Sequence, residues 1–119
     1  MKKTAVIGAS TNPERYSYKA IQALVERGHE TIALGLREGF VAGVSIHRNP
    51  QNAAHIDTVS LYVGPANQAD WLQTILSLAP RRVIFNPGTE NPELEELLLS
   101  KGIIIEHACT LVLLATNQY

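Results

Sequence analysis

The amino-acid sequence predicts one α/β domain spanning residues 1–119, doubly wound, with a mostly parallel five-stranded sheet and helices on both faces. Three observations lead to this expectation. Short apolar runs alternate with stretches of helical apolar spacing along the chain. The first of these pairs is punctuated by glycines in the manner of a strand–helix–strand unit. The length, 119 residues with 45% hydrophobic and 18% charged side chains, suits a globule with one core.

Thr4 to Gly8 reads as a short buried strand, followed by a turn-rich loop over residues 9–17. From about Tyr18, Ala20, Ile21, Leu24 and Val25 recur at helical steps, and Gly28 suits a left-handed C-cap. Thr31–Leu34 is a second strand. Residues 36–49 are irregular apart from a short extended piece at Val44–Ile46, and Pro50–His55 suggests a brief helical turn. Asp57–Val63 is the third strand, and Ala66–Leu78 a helix with Trp71, Leu72, Ile75 and Leu76 inward. Arg82–Phe85 is the fourth strand, Pro92–Ser100 a leucine-rich helix and Gly102–Ile105 the fifth strand. The apolar tail Ala108–Ala115 stays open between helix and strand. Its Leu111–Leu114 run must be buried, either in the core or in a homodimer interface. Strands alternating with helices imply right-handed crossovers and a Rossmann-like sheet.

Composition excludes some functions. A net charge of -1 argues against a nucleic-acid binder, which needs a basic surplus. The apolar run after Met1 is too short for a secretion signal or a membrane span, and a single cysteine allows no internal disulfide. Together these point to a cytoplasmic protein. None of the four histidines has metal-ligand spacing.

In an open parallel sheet the ligand sits at the carboxyl ends of the strands, where strand order reverses. The loop leaving the first strand is Gly8-Ala9-Ser10-Thr11-Asn12-Pro13. Gly8 permits a tight turn, Ser10 and Thr11 bring hydroxyls, and the following helix offers free N–H groups to an anion. Arg15 and Lys19 add cations. The spacing is not G-x-G-x-x-G, because Ser10 and Pro13 replace two glycines. The second strand ends in Gly35-Leu36-Arg37 without a ribose-binding acid, and an arginine suits a ribose phosphate better. The expected partner is therefore a small nucleotide-type ligand.

These residues, Val6-Ile7-Gly8-Ala9-Ser10-Thr11-Asn12-Pro13 with Ser17-Tyr18 opening a helix, resemble the CoA-binding domain family. It includes the CoA-binding domain of the succinyl-CoA synthetase alpha subunit. Val63-Gly64-Pro65-Ala66 is similar to that family's Val-Pro-Ala-Pro loop, and Cys109 matches a cysteine common after its last strand. Gly35-Leu36 departs from the usual Asn-Pro, and Asn86-Pro87-Gly88-Thr89 from the usual fourth loop. The resemblance implies CoA as ligand. It places Gly8, Ser10, Thr11, Pro13 and Ser17 on the phosphates, Arg37 on an adenosine-side phosphate, and Val63 and Pro65 on the adenine or pantetheine flank.

Asn86 is a further candidate for a ligand amide, against a plain turn. Cys109 with His107 has three competing roles: packing, a mixed disulfide with a thiol ligand, and a thiolate nucleophile. Glu106 is expected as a solvated strand end. No catalytic residue is assigned, so the reading is CoA or acyl-CoA binding without chemistry. The rivals are a small NAD(P)-binding oxidoreductase-like protein and an interaction module with a vestigial pocket.

Overall fold

The computed structural model describes residues 1–50 and 54–119. The helical turn expected over Pro50–His55 includes residues 51–53, which lie outside the described residues. In chain order the elements are β1 Thr4–Ile7, α1 Tyr16–Glu26, β2 Thr31–Leu34, β3 Gly39–Val41, β4 Val44–His47 and β5 Thr58–Leu61. A 3₁₀ helix Pro65–Trp71 then runs into α2 Leu72–Leu78, followed by β6 Arg82–Phe85, α3 Pro92–Ser100, β7 Ile104–His107 and α4 Thr110–Ala115.

The sheet has seven strands in the order β3-β4-β2-β1-β5-β6-β7, not the five expected. All neighbours run parallel except β3 and β4, which form an antiparallel hairpin with Val41 opposite Val44. Its turn is Ala42-Gly43, with both φ values positive at 51° and 80°. That is the backbone a two-residue hairpin needs to match strand twist. Alanine is unusual at the first of these positions, so residues 36–49 carried little hairpin signal. β1 lies at the centre, paired with β2 on one side and β5 on the other, so strand order reverses between β1 and β5.

Both sheet faces are covered. Val6, Ala33 and Ile46 pack with Ile21 and Leu24 of α1 and Leu114 of α4. Ala5, Ile7, Val59 and Phe85 pack with Ile75 of α2 and Leu94 and Leu98 of α3. The apolar tail is thus a helix packed against α1 through the buried Leu114, but the run expected to be buried is not wholly so, because Leu111 and Leu113 are half-buried and Val112 is exposed.

Glycine caps end α1 and α3 and set where the next strand begins. After α1, the His29 N–H reaches Leu24 O and the Gly28 N–H reaches Val25 O, with Gly28 at φ 80°. After α3, Ile103 N–H bonds Leu98 O and Gly102 N–H bonds Leu99 O in the same pattern. Gly102 is spent on that cap, so the last strand begins at Ile104 and carries Glu106 and His107 within it. Glu106 is not merely solvated: its Oε1 accepts from Arg82 Nη1 at 2.9 Å, and Arg82 is buried.

Candidate functional site

The loops leaving β1, β2, β5 and β6 converge on one cleft of about 870 Å³. Its position at the β1/β5 reversal follows from topology, because adjacent loops there diverge to opposite faces of the sheet.

The β1 loop is built by close packing. Gly8 has φ 94°, and a Cβ there would lie 3.0 Å from the Tyr62 carbonyl carbon and oxygen. Gly8 and Ala9 both donate their N–H groups to Leu34 O at 2.9 Å, tying the loop to β2. Ser10 Oγ accepts the Asn12 N–H and Asn12 Oδ1 accepts the Glu14 N–H, each at 3.0 Å. α1 then starts after Arg15 with no side-chain cap and no acid in its first turn. Its first N–H groups and dipole therefore favour an anion, beside Arg15.

Six of the candidate residues line this cleft: Gly8, Ser10, Thr11, Ser17, Arg37 and Val63. Four do not. Pro13 and Pro65 are exposed beyond its rim. Asn86 is buried, and its side chain is taken up by the fold. Its Nδ2 donates to Ser60 Oγ at 3.0 Å and to Leu61 O at 2.9 Å, and its Oδ1 accepts the Thr110 N–H at 2.8 Å. It thereby caps α4 from the end of β6. Cys109 is half-buried just before α4. The imidazole expected beside it faces elsewhere, with His107 Nε2 2.6 Å from Glu95 Oε1.

Of the other cleft residues, Ala9, Asn12 and Arg15 belong to the expected loop and its surroundings, and the rest were not among the assigned contacts. Trp71, expected on the inner face of a helix, is buried and also forms part of the cleft wall, with the Arg48 guanidinium 5.9 Å above its ring. Tyr62 lines the cleft while its Oη is buried beside the Ser60 and Thr110 hydroxyls in a geometry that closes no hydrogen bond. Burial pushes that phenol up to about 12. Leu36 follows β2, and Gly88 and Thr89 follow β6. The wall near β2 and β1 thus carries Arg15, Arg37 and the α1 N-terminus, whereas on the β5 side Val63 and Trp71 give apolar surface next to the polar Asn67 and the acidic Asp70.

The family model for the CoA binding domain matches residues 2–115. The chain belongs to the CoA-binding domain family. Within this family likeness, a crystal structure of an uncharacterized protein is 46% identical, covering 100% of this chain and 98% of that one at a TM-score of 0.95. A hypothetical protein from Pyrococcus horikoshii OT3 is 26% identical over 90% of this chain and 75% of its own, at a TM-score of 0.78. The dinucleotide-forming acetyl-coenzyme A synthetase 1 of Ca. Korarchaeum cryptofilum, in complex with phosphate and ADP, shares the fold. It is 16% identical, with a TM-score of 0.70 over 90% of this chain and 25% of that chain. No curated protein matches the chain. Among the described residues no cluster of acids, histidines and cysteine is fit to hold a metal ion, and no helix is long and apolar enough to cross a membrane.

Proposed function

We propose that this CoA-binding domain holds CoA or an acyl-CoA in the cleft and performs no chemistry on it. The observation that carries this reading is the division of the cleft. The Gly8–Asn12 loop, the α1 N-terminus, Arg15 and Arg37 form a phosphate-seeking side, and Val63 and Trp71 an apolar one. CoA has the same division, with charged phosphates at one end and a pantetheine arm at the other. A volume of about 870 Å³ is within the range of sites for ligands of this size. Binding without chemistry accords with the placement of His107 and Cys109 outside the lining. The setting we propose is cytoplasmic.

Calorimetric titration with CoA, acetyl-CoA and NADP tests the reading, with Trp71 fluorescence as a second signal. Saturable binding of CoA or acetyl-CoA in preference to NADP is expected. No saturable CoA binding at millimolar ligand would end it.

A further inference from the structure

Gln68 is a fully buried polar side chain, 1% exposed, in the 3₁₀ helix behind the cleft. Its Nε2 donates to Val63 O at 2.8 Å and to Thr89 O at 2.7 Å, and its Oε1 accepts from Asn91 Nδ2 at 2.9 Å. A primary amide has two N–H bonds, so both are consumed. The reverse amide orientation would set Oε1 against two carbonyl oxygens, so only one arrangement satisfies the group. The anchor behind it is also held. Asn91 caps α3 through Oδ1 to the Leu94 N–H, and the Asn91 N–H donates to Glu95 Oε2 at 2.8 Å.

The two carbonyls that Gln68 joins belong to Val63 and Thr89, which line the cleft from different loops, one leaving β5 and the other β6. Backbone bonding between adjacent parallel strands stops at the strand ends, and beyond them these loops have separate courses. Gln68 does not itself line the cleft. We infer that Gln68 is a positioning residue that fixes the spacing of the Val63 and Thr89 walls, and so sets affinity for the part of the ligand lying between them. This inference rests on the proposed CoA binding. The Val63 wall borders the β1 loop at Gly8, and the Thr89 wall follows β6, three strands away from the β2 side that carries Arg37, so we assign the part between the two walls to the pantetheine arm.

The test uses the full chain and two probes, CoA and its phosphate-bearing fragment adenosine 3′,5′-diphosphate, at a temperature where unfolding shows each protein folded. Gln68→Met keeps the volume and removes every polar atom. It is expected to weaken CoA at least tenfold while leaving the fragment within twofold of wild type. Equal loss for both probes, or no loss for either in a folded variant, would overturn the inference. Failure of wild type itself to bind CoA defeats the underlying reading, a result distinct from these.

Gln68→Glu provides a second test should the methionine variant not fold. A carboxylate facing two carbonyls has no donor, whereas the protonated acid regains one. CoA affinity relative to wild type is expected to recover as pH falls from 7.5 towards 5. Asp70 in the cleft, Glu95 behind Asn91 and His107 beside Glu95 are the other ionisable groups on this side, and the wild-type profile corrects for them. A ratio flat across that range would overturn the inference.

Discussion

Gly35 and Ala9 touch backbone to backbone: a Cβ on Gly35 would stand 2.5 Å from the Ala9 carbonyl oxygen. Glycine at position 35 is thus required by packing in this chain. The end of β2 comes so close to the phosphate-seeking loop that only hydrogen fits. Gly35→Ala is expected to displace that loop. A strained small-to-large change at such a contact costs roughly 1–3 kcal/mol. Urea unfolding should show this loss, and calorimetry should show weaker CoA binding in the folded variant. Unchanged CoA affinity would separate Gly35 from the site.

Arg37 follows the same glycine and reaches the cleft from the β2 side. If it meets the ribose phosphate of CoA, Arg37→Ala removes a charge-assisted contact worth about 1.5–3 kcal/mol. Affinity for CoA should fall about tenfold or more at 1.4 kcal/mol per decade. Affinity for dephospho-CoA should hardly change. Parallel titrations of the two ligands decide it, and an equal loss on both would place Arg37 elsewhere on the ligand.

Ala42 occupies a left-handed conformation, φ 51°, at the tip of the β3–β4 hairpin. A side-chain Cβ costs about 1 kcal/mol there relative to glycine. Ala42→Gly is expected to raise stability by up to that amount, less the extra freedom glycine has in the unfolded chain. Thermal unfolding should shift upward with CoA binding unaltered, because Ala42 lies outside the cleft lining.

Tyr62 gives an alkaline signature. Burial raises its phenol from 10.0 to about 12, so the folded chain keeps a proton that the unfolded chain releases. The corresponding stability is present below pH 10 and is lost as pH rises through about 12. The size at stake is on the order of 2 kcal/mol. Tyr62→Phe should flatten the stability curve over pH 10–12. It should also be neutral or stabilising at pH 7, because the buried Oη has no hydrogen-bond partner. A steeper alkaline loss in the variant would contradict this account.

Much of the fold was legible because its signals are local. Ala20, Ile21 and Leu24 declare one buried helix face, and Gly28 ends that helix with the left-handed turn that glycine adopts at least cost, whereas Gly102, expected to open the last strand, caps α3 in the same way. The β3–β4 hairpin was not legible, because Ala42 at a positive φ has no compositional marker. The site shows the same division. Gly8, Ser10 and Arg37 follow strands, and following a strand is itself a statement about location in a parallel sheet. Asn86 follows a strand too, yet its three hydrogen bonds to Ser60, Leu61 and Thr110 exist only once β5, β6 and α4 are side by side. Gln68 gave no sign at all, since a glutamine in a short helix is ordinarily solvated.

The residue order alone established the alternation of strands and helices, the glycine-led loop after β1 and the likeness to CoA-binding domains. All three depend on neighbours within a few positions of each other. Tertiary structure decided which side chains face the cleft and which are consumed by the fold. It turned Asn86 into a helix cap and Gln68 into a brace between two walls, and drew His107 to Glu95, away from the thiol. The reason is that a polar group buried on folding takes whatever partner the packed elements place within about 3 Å. That partner is set by the meeting of segments tens of residues apart.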